Sequence, residues 1–101
     1  DEFPKNQYTK WFDYDKIKGT LSLRHRQPGD YLTLPSGGRK TLKSWMIDEK
    51  IPRQEREKIW LLAEEKHILW IVGHRISAYY KITEQTKTIL EVEFNGGKSS
   101  G

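Results

Sequence analysis

The sequence predicts an α+β fold, and three observations lead there. Residues 20–26 and 90–94 alternate apolar and polar side chains, the period of a half-buried strand. Residues 59–63 (IWLLA) and 68–72 (ILWIV) are continuous apolar runs, short enough for buried strands and too short for buried helices. Between these regions Leu42, Trp45 and Met46 recur at i, i+3 and i+4, the stripe of an amphipathic helix. Strands, then two short helices, then strands predict a small layered domain. Its core is a mostly antiparallel, β-sandwich-like sheet with both helices on one side.

The elements follow in order. Residues 1–7 read as a flexible N-terminal segment, residues 8–94 as the folded domain, and residues 95–101 (NGGKSSG) as a flexible tail. Tyr8, Trp11, Phe12 and Tyr14 mark a first strand. In the alternating run that follows, Leu21 and Leu23 are expected to face the core, with Ser22, Arg24 and Arg26 outward. Gln27-Pro28-Gly29-Asp30 is a turn, because Pro presets φ and Gly accepts a positive φ. A short strand resumes at Tyr31 and stops at Pro35-Ser36-Gly37-Gly38.

Residues 41–50 form the first helix, with Lys43 and Lys50 expected on one further face. Pro52, a favoured first helical residue, opens the second, on which Arg53 and Arg56 are surface neighbours. The two apolar runs make a hairpin joined by a four-residue loop, residues 64–67, and Gly73 closes it. Residues 75–81 fit either a helical turn or an irregular crossover. Leu90, Val92 and Phe94 form the last, half-buried strand.

Composition narrows the function. The chain's 101 residues give room for one core. Only 35% are hydrophobic and 32% are charged, but 12 aromatics, four of them Trp, bury enough area per residue to argue for folding. No cysteine is present, which excludes disulfides and thiolate zinc sites. Apolar runs reach five residues, far short of the roughly 20 a membrane helix needs. No membrane partner and a cytoplasmic, soluble domain are the expectation.

Charge is unevenly placed. Residues 16–58 carry eleven basic and five acidic side chains, a local balance of +6 against +4 for the whole chain. Concentrated positive charge attracts phosphate more effectively than the same charge dispersed. The cations come in pairs: Arg24 and Arg26 on a strand face, Arg39 and Lys40 in a glycine turn, Lys43 and Lys50 on a helix, Arg53 and Arg56 on the next. A guanidinium grips phosphate as a fork and an ammonium as a point charge. These eight are the candidate phosphate-binding residues.

Other chemistry is poorly supported. Ser36-Gly37-Gly38 could cradle phosphate, but a glycine turn exposing cations is the simpler reading, and no catalytic residue is assigned. His25, His67 and His74 have no metal-ligand spacing, so no metal site is expected, and His67 falls in the hairpin loop. No Gly-x-Ser-x-Gly nucleophile elbow occurs. Trp45, Trp60 and Trp70 sit in apolar patterns and are expected in the core, which favours backbone contact over base stacking.

Four motifs carry a resemblance. Leu23-Arg-His-Arg-Gln-Pro-Gly-Asp30, Gly38-Arg-Lys-Thr-Leu-Lys43, Lys50-Ile-Pro-Arg-Gln-Glu-Arg56 and Ile68-Leu-Trp-Ile-Val-Gly73 are similar, in order and spacing, to the C-terminal domain of bacterial tRNA(Ile)-lysidine synthetases. The resemblance implies an ATP-dependent ligase as parent, which adenylates the wobble cytidine of tRNA(Ile) before lysine displaces AMP. ATP and Mg would belong to an N-terminal catalytic domain with a Ser-Gly-Gly-x-Asp-Ser loop. This chain would have no cofactor of its own. The terminal domain would contact the tRNA at its acceptor end, making the eight cations candidate RNA-binding residues, next to the catalytic domain of the same enzyme and with room for a homodimer of the parent. Its implied fold is a layered α+β unit related to part of phenylalanyl-tRNA synthetase. The competing readings are a protein-interaction module docking on an acidic surface, an autonomous enzyme using the Ser36 loop, and a duplex-DNA binder.

Overall fold

The computed structural model describes residues 8–95; the segments assigned to flexible ends lie outside the described residues, apart from Asn95. Its strands are β1 (Thr9–Asp13), β2 (Leu21–Arg24), β3 (Tyr31–Thr33), β4 (Arg39–Thr41), β5 (Leu61–Glu64), β6 (His67–Ile71), β7 (Arg75–Ile76) and β8 (Ile89–Glu93). Two helices, α1 (Leu42–Asp48) and α2 (Arg53–Arg56), join β4 to β5, and 3-10 turns cover Tyr14–Lys16 and Ala78–Tyr80. A six-stranded sheet runs β2-β5-β6-β3-β4, with β7 also paired to β6, while β1 and β8 form a separate antiparallel ribbon. One pair, β3 with β6, is parallel and the others are antiparallel.

The sheet is buried on both faces, as the continuous apolar runs require. On one face Leu42, Trp45 and Met46 of α1 pack against Leu32, Leu61, Ala63, Ile68 and Ile71. On the other, Phe12 of the ribbon packs with Leu62, Leu69, Trp70, Val72 and Tyr80, flanked by Val92 and Phe94. A bulge shifts the β5–β6 register between Leu62 and Ala63, so that Leu62 faces Trp70 and Ala63 faces Ile68. Leu69 is the extra residue, which lets Ile68 and Ile71 share the helix side although they are three apart. The stripe on α1 is as the spacing predicts, and Thr41 caps the helix by accepting the Ser44 N–H at 3.1 Å.

Several local expectations are corrected. Leu23 is 49% exposed, because β2 is an edge strand that the two-stranded ribbon is too narrow to cover; Leu21 does pack on the core. The β5–β6 loop is two residues, Glu65 and Lys66, with Glu65 at φ 58°, so His67 lies in β6 rather than in the loop. Arg39 and Lys40 belong to β4, not to the glycine turn, since the chain doubles back in a hairpin immediately after Gly38. Pro52 precedes α2 as its cap, not as its first residue. Trp60 stands outside β5, 36% exposed, with its ring 4.0 Å from that of His25, whereas Trp45 and Trp70 are buried as expected.

Candidate nucleic-acid interface

The eight predicted cations divide according to what surrounds them. Arg24 serves the fold. Its guanidinium donates to both carboxylate oxygens of buried Asp30 at 3.0 Å, and also to the carbonyls of His25 and Glu65. Asp30 in turn accepts the Gln27 N–H at 2.8 Å, so the ion pair locks the Pro28-Gly29 turn to the sheet. Lys40 pairs with Asp48 across the β4–α1 corner. Arg56 turns its Nε to the Ile51 carbonyl at 2.8 Å, closing the loop between the helices.

Of the remaining five, Arg26 is also paired and the other four are more available to a ligand. Arg26 lies past the end of β2, so it does not share a strand face with Arg24. It pairs with exposed Glu57 at 2.7 Å. With Lys43 it lines a groove of about 530 Å³ that also includes Pro28, Gly29 and Thr41. Lys43 projects from α1 and is exposed. Lys50 does not continue that helix face, because α1 ends at Asp48 and Lys50 adopts φ 57°. It is exposed, as is Arg53 at the start of α2. Neither makes an ion pair among the described residues.

Arg39 belongs to a second concavity, which the sequence reading missed. Lys16, Lys18, Tyr31, Thr33, Gly37, Arg39, Glu65, His67 and Tyr79 are among the residues lining a cleft of about 600 Å³. Glu64 builds one wall. Its carboxylate accepts the Tyr80 hydroxyl at 2.7 Å and the backbone N–H groups of Lys18 and Gly19, pinning the segment that carries Lys16 and Lys18. Burial opposes its ionisation, but these hydrogen bonds outweigh that and hold the carboxyl below its ordinary value. Burial and the same carboxylate push the Tyr80 hydroxyl far upward, so it remains a donor.

His67 forms the floor. Its ring stacks on Tyr31 at 4.5 Å, and Nε2 lies 3.0 Å from Thr33 Oγ1 and 3.3 Å from Ser77 Oγ. Burial, with Arg39 nearby, holds its pKa below the ordinary value, against a smaller opposing pull from Glu64. The Ser77 contact is not a nucleophile pair: Ser77 is buried, and its Oγ accepts the N–H groups of Thr33 and Tyr79. Arg39 sits 4.2 Å above the Tyr31 ring, and the Lys16 ammonium 5.0 Å from that of Tyr79. The one sequence signal for this cleft was that Lys16 and Lys18 open the basic segment. Tyr31, His67 and Tyr79 are far apart in the chain and meet only through the β3–β6 pairing and the turn after β7.

The Ser36-Gly37-Gly38 loop is a hairpin connection rather than a strand-to-helix phosphate cradle. Its Gly37 N–H is spent on the Leu34 carbonyl at 2.8 Å, and the chain proceeds into β4. Among the described residues no three His, Asp or Glu side chains converge as metal ligands, and no helix is long and apolar enough to cross a membrane.

With the fold and these surfaces described, comparison with known proteins is decisive. The family model for the TilS substrate C-terminal domain matches residues 21–93. The chain belongs to this family. It is 46% identical over 95 residues to a tRNA(Ile)-lysidine synthase of Caldanaerobacter subterraneus subsp. tengcongensis, covering 93% of this chain and 20% of that protein. A tRNA(Ile)-lysidine synthase of Clostridium tetani is 41% identical over 101 residues, covering 99% of this chain and 22% of that protein. The chain thus spans about a fifth of the length of these curated relatives. A crystal structure of a TilS C-terminal domain superimposes with a TM-score of 0.65 at 27% identity, over 88% of this chain and 72% of that one. The layered α+β fold is therefore that of the family's C-terminal domain.

Proposed function

We propose that this chain is the substrate-recognition domain of a tRNA(Ile)-lysidine synthase. It binds tRNA(Ile) mainly by its backbone, near the acceptor end, and leaves the chemistry to the rest of the enzyme. The observation that carries this reading is the set of exposed cations, Lys43, Lys50 and Arg53 with Arg26 beside the Lys43 groove, on a chain of this family. ATP and Mg, on this reading, act in the parent's catalytic domain, where the wobble cytidine is adenylated and lysine displaces AMP. Two features support a non-catalytic role: Ser77 is buried and committed as an acceptor, and the glycine loop is a hairpin.

The test is a titration of labelled tRNA(Ile) with the chain across a salt series, beside a DNA duplex of equal length. Steep salt dependence with preference for tRNA is expected. Lys43→Ala and Arg53→Ala should each weaken binding and lower the salt slope by about one. Unchanged affinity and slope in a folded double variant would refute this surface. If an acidic segment of the parent competes with tRNA for the chain, the basic face is a protein-docking surface instead.

A further inference from the structure

The His67 cleft has a composition that backbone recognition does not require. Two tyrosine rings each lie beneath a cation, Tyr31 under Arg39 and Tyr79 under Lys16. Tyr79 is 42% exposed and its ring is 5.1 Å from that of His67, while its neighbour Tyr80 is buried and bonded to Glu64. The Tyr79 ring is held in place by an edge contact with Tyr80, centroids 4.9 Å apart, and by His67, while its hydroxyl makes no hydrogen bond among the described residues. Gly37 leaves the rim open, with nothing within 4 Å of where a Cβ would stand.

We propose that this cleft takes one unpaired nucleotide of the bound RNA, with its base stacked on Tyr79 in place of the Lys16 ammonium and its phosphate against Lys16 and Arg39, beside Lys18, whose Nζ also donates to the Asp15 carbonyl at 2.9 Å. The proposal rests on the RNA-recognition reading and adds a base-contacting subsite to a surface that otherwise meets backbone. An aromatic face accepts any base, and adjacent cations hold the phosphate that arrives with it. Of the two lining carboxylates, Glu64 is consumed by Tyr80, Lys18 and Gly19. Glu65, exposed in the β5–β6 turn, is left to accept from a base amino group. A neutral His67 completes a floor of stacked rings that adds no charge repulsion to the cations.

The test compares a blunt RNA duplex, the same duplex with one overhanging 2-aminopurine nucleotide, and a single-stranded 2-aminopurine tetranucleotide. Stacking quenches 2-aminopurine fluorescence. The overhang should tighten binding about tenfold, with quenching of both fluorescent probes. Tyr79→Ala should abolish the gain and the quenching; Tyr79→Phe should keep both, and a thermal melt establishes that each variant is folded. Lys43→Ala and Arg53→Ala should weaken both duplexes by the same factor and leave the gain in place. Blunt-duplex binding with no gain, or a gain that survives Tyr79→Ala, overturns the cleft alone. A quenched tetranucleotide without blunt-duplex binding overturns the backbone surface alone, and failure of all three probes overturns both.

Discussion

Replacing Asp30 with Ala tests what the Arg24–Asp30 pair does. The Asp30 carboxylate is 1% exposed and accepts two bonds from Arg24 and one from the Gln27 backbone; the Arg24 side chain is 16% exposed. Removing the carboxylate strands a guanidinium that water reaches only partly, and leaves the Gln27 N–H without its acceptor. Breaking such a pair from one side costs about 3–5 kcal/mol, and the residual access of Arg24 puts this case near 3. For a domain of this size that is a fall in Tm of roughly 12–24 °C. Urea unfolding followed by tryptophan fluorescence, with the slope compared between variants, reads the change. Asp30→Ala and Arg24→Ala should be strongly non-additive, because the second substitution removes the charge that the first leaves unpaired. Additive effects, or a loss below about 1 kcal/mol for Asp30→Ala, would refute a structural pair and return Arg24 to the RNA-binding candidates.

Three further outcomes follow from the same structure. Thr41→Ala removes the α1 cap and should cost about 1 kcal/mol in urea unfolding, with Thr41→Ser retaining most of the stability. Gly29 has φ 89°, so Gly29→Ala should destabilise by about 1–3 kcal/mol through backbone strain, although the nearest atom to its added methyl, Lys66 Cδ, is at an ordinary 3.7 Å. The folded pKa of His67 lies below its ordinary 6.5, so on acidification the unfolded chain takes up the proton first. Its contribution is therefore complete above that value and is lost as pH falls through the folded pKa. His67→Gln should flatten stability against pH in this window, and an unchanged profile would show that another group sets it.

Much of the architecture could be read from local pattern. The α1 stripe, the two central strands and the turn glycine at position 29 follow from side-chain period and backbone preference, which depend on near neighbours in the chain. The bulge at Leu69 could not be read this way, because a continuous apolar run has no phase to show which residues share a face. Nor could the exposure of Leu23, which depends on how wide a ribbon of distant strands happens to be.

For the site, the sequence by itself determined the charge: a basic segment, carried by pairs of cations, on a chain whose motifs match one family. Which cations remain for a ligand was a tertiary outcome. Arg24, Arg26, Lys40 and Arg56 look the same as Lys43, Lys50 and Arg53 in a string of letters. The first four are engaged by Asp30, Glu57, Asp48 and the Ile51 carbonyl only because folding brings those acceptors within reach. The His67 cleft is tertiary throughout. It needs a parallel strand pair to bring Tyr31 to His67, a turn to place Tyr79, and Glu64 to hold the segment bearing Lys16 and Lys18. Charge is a property each residue carries alone, whereas an open or occupied hydrogen-bonding group is a property of its neighbours in space.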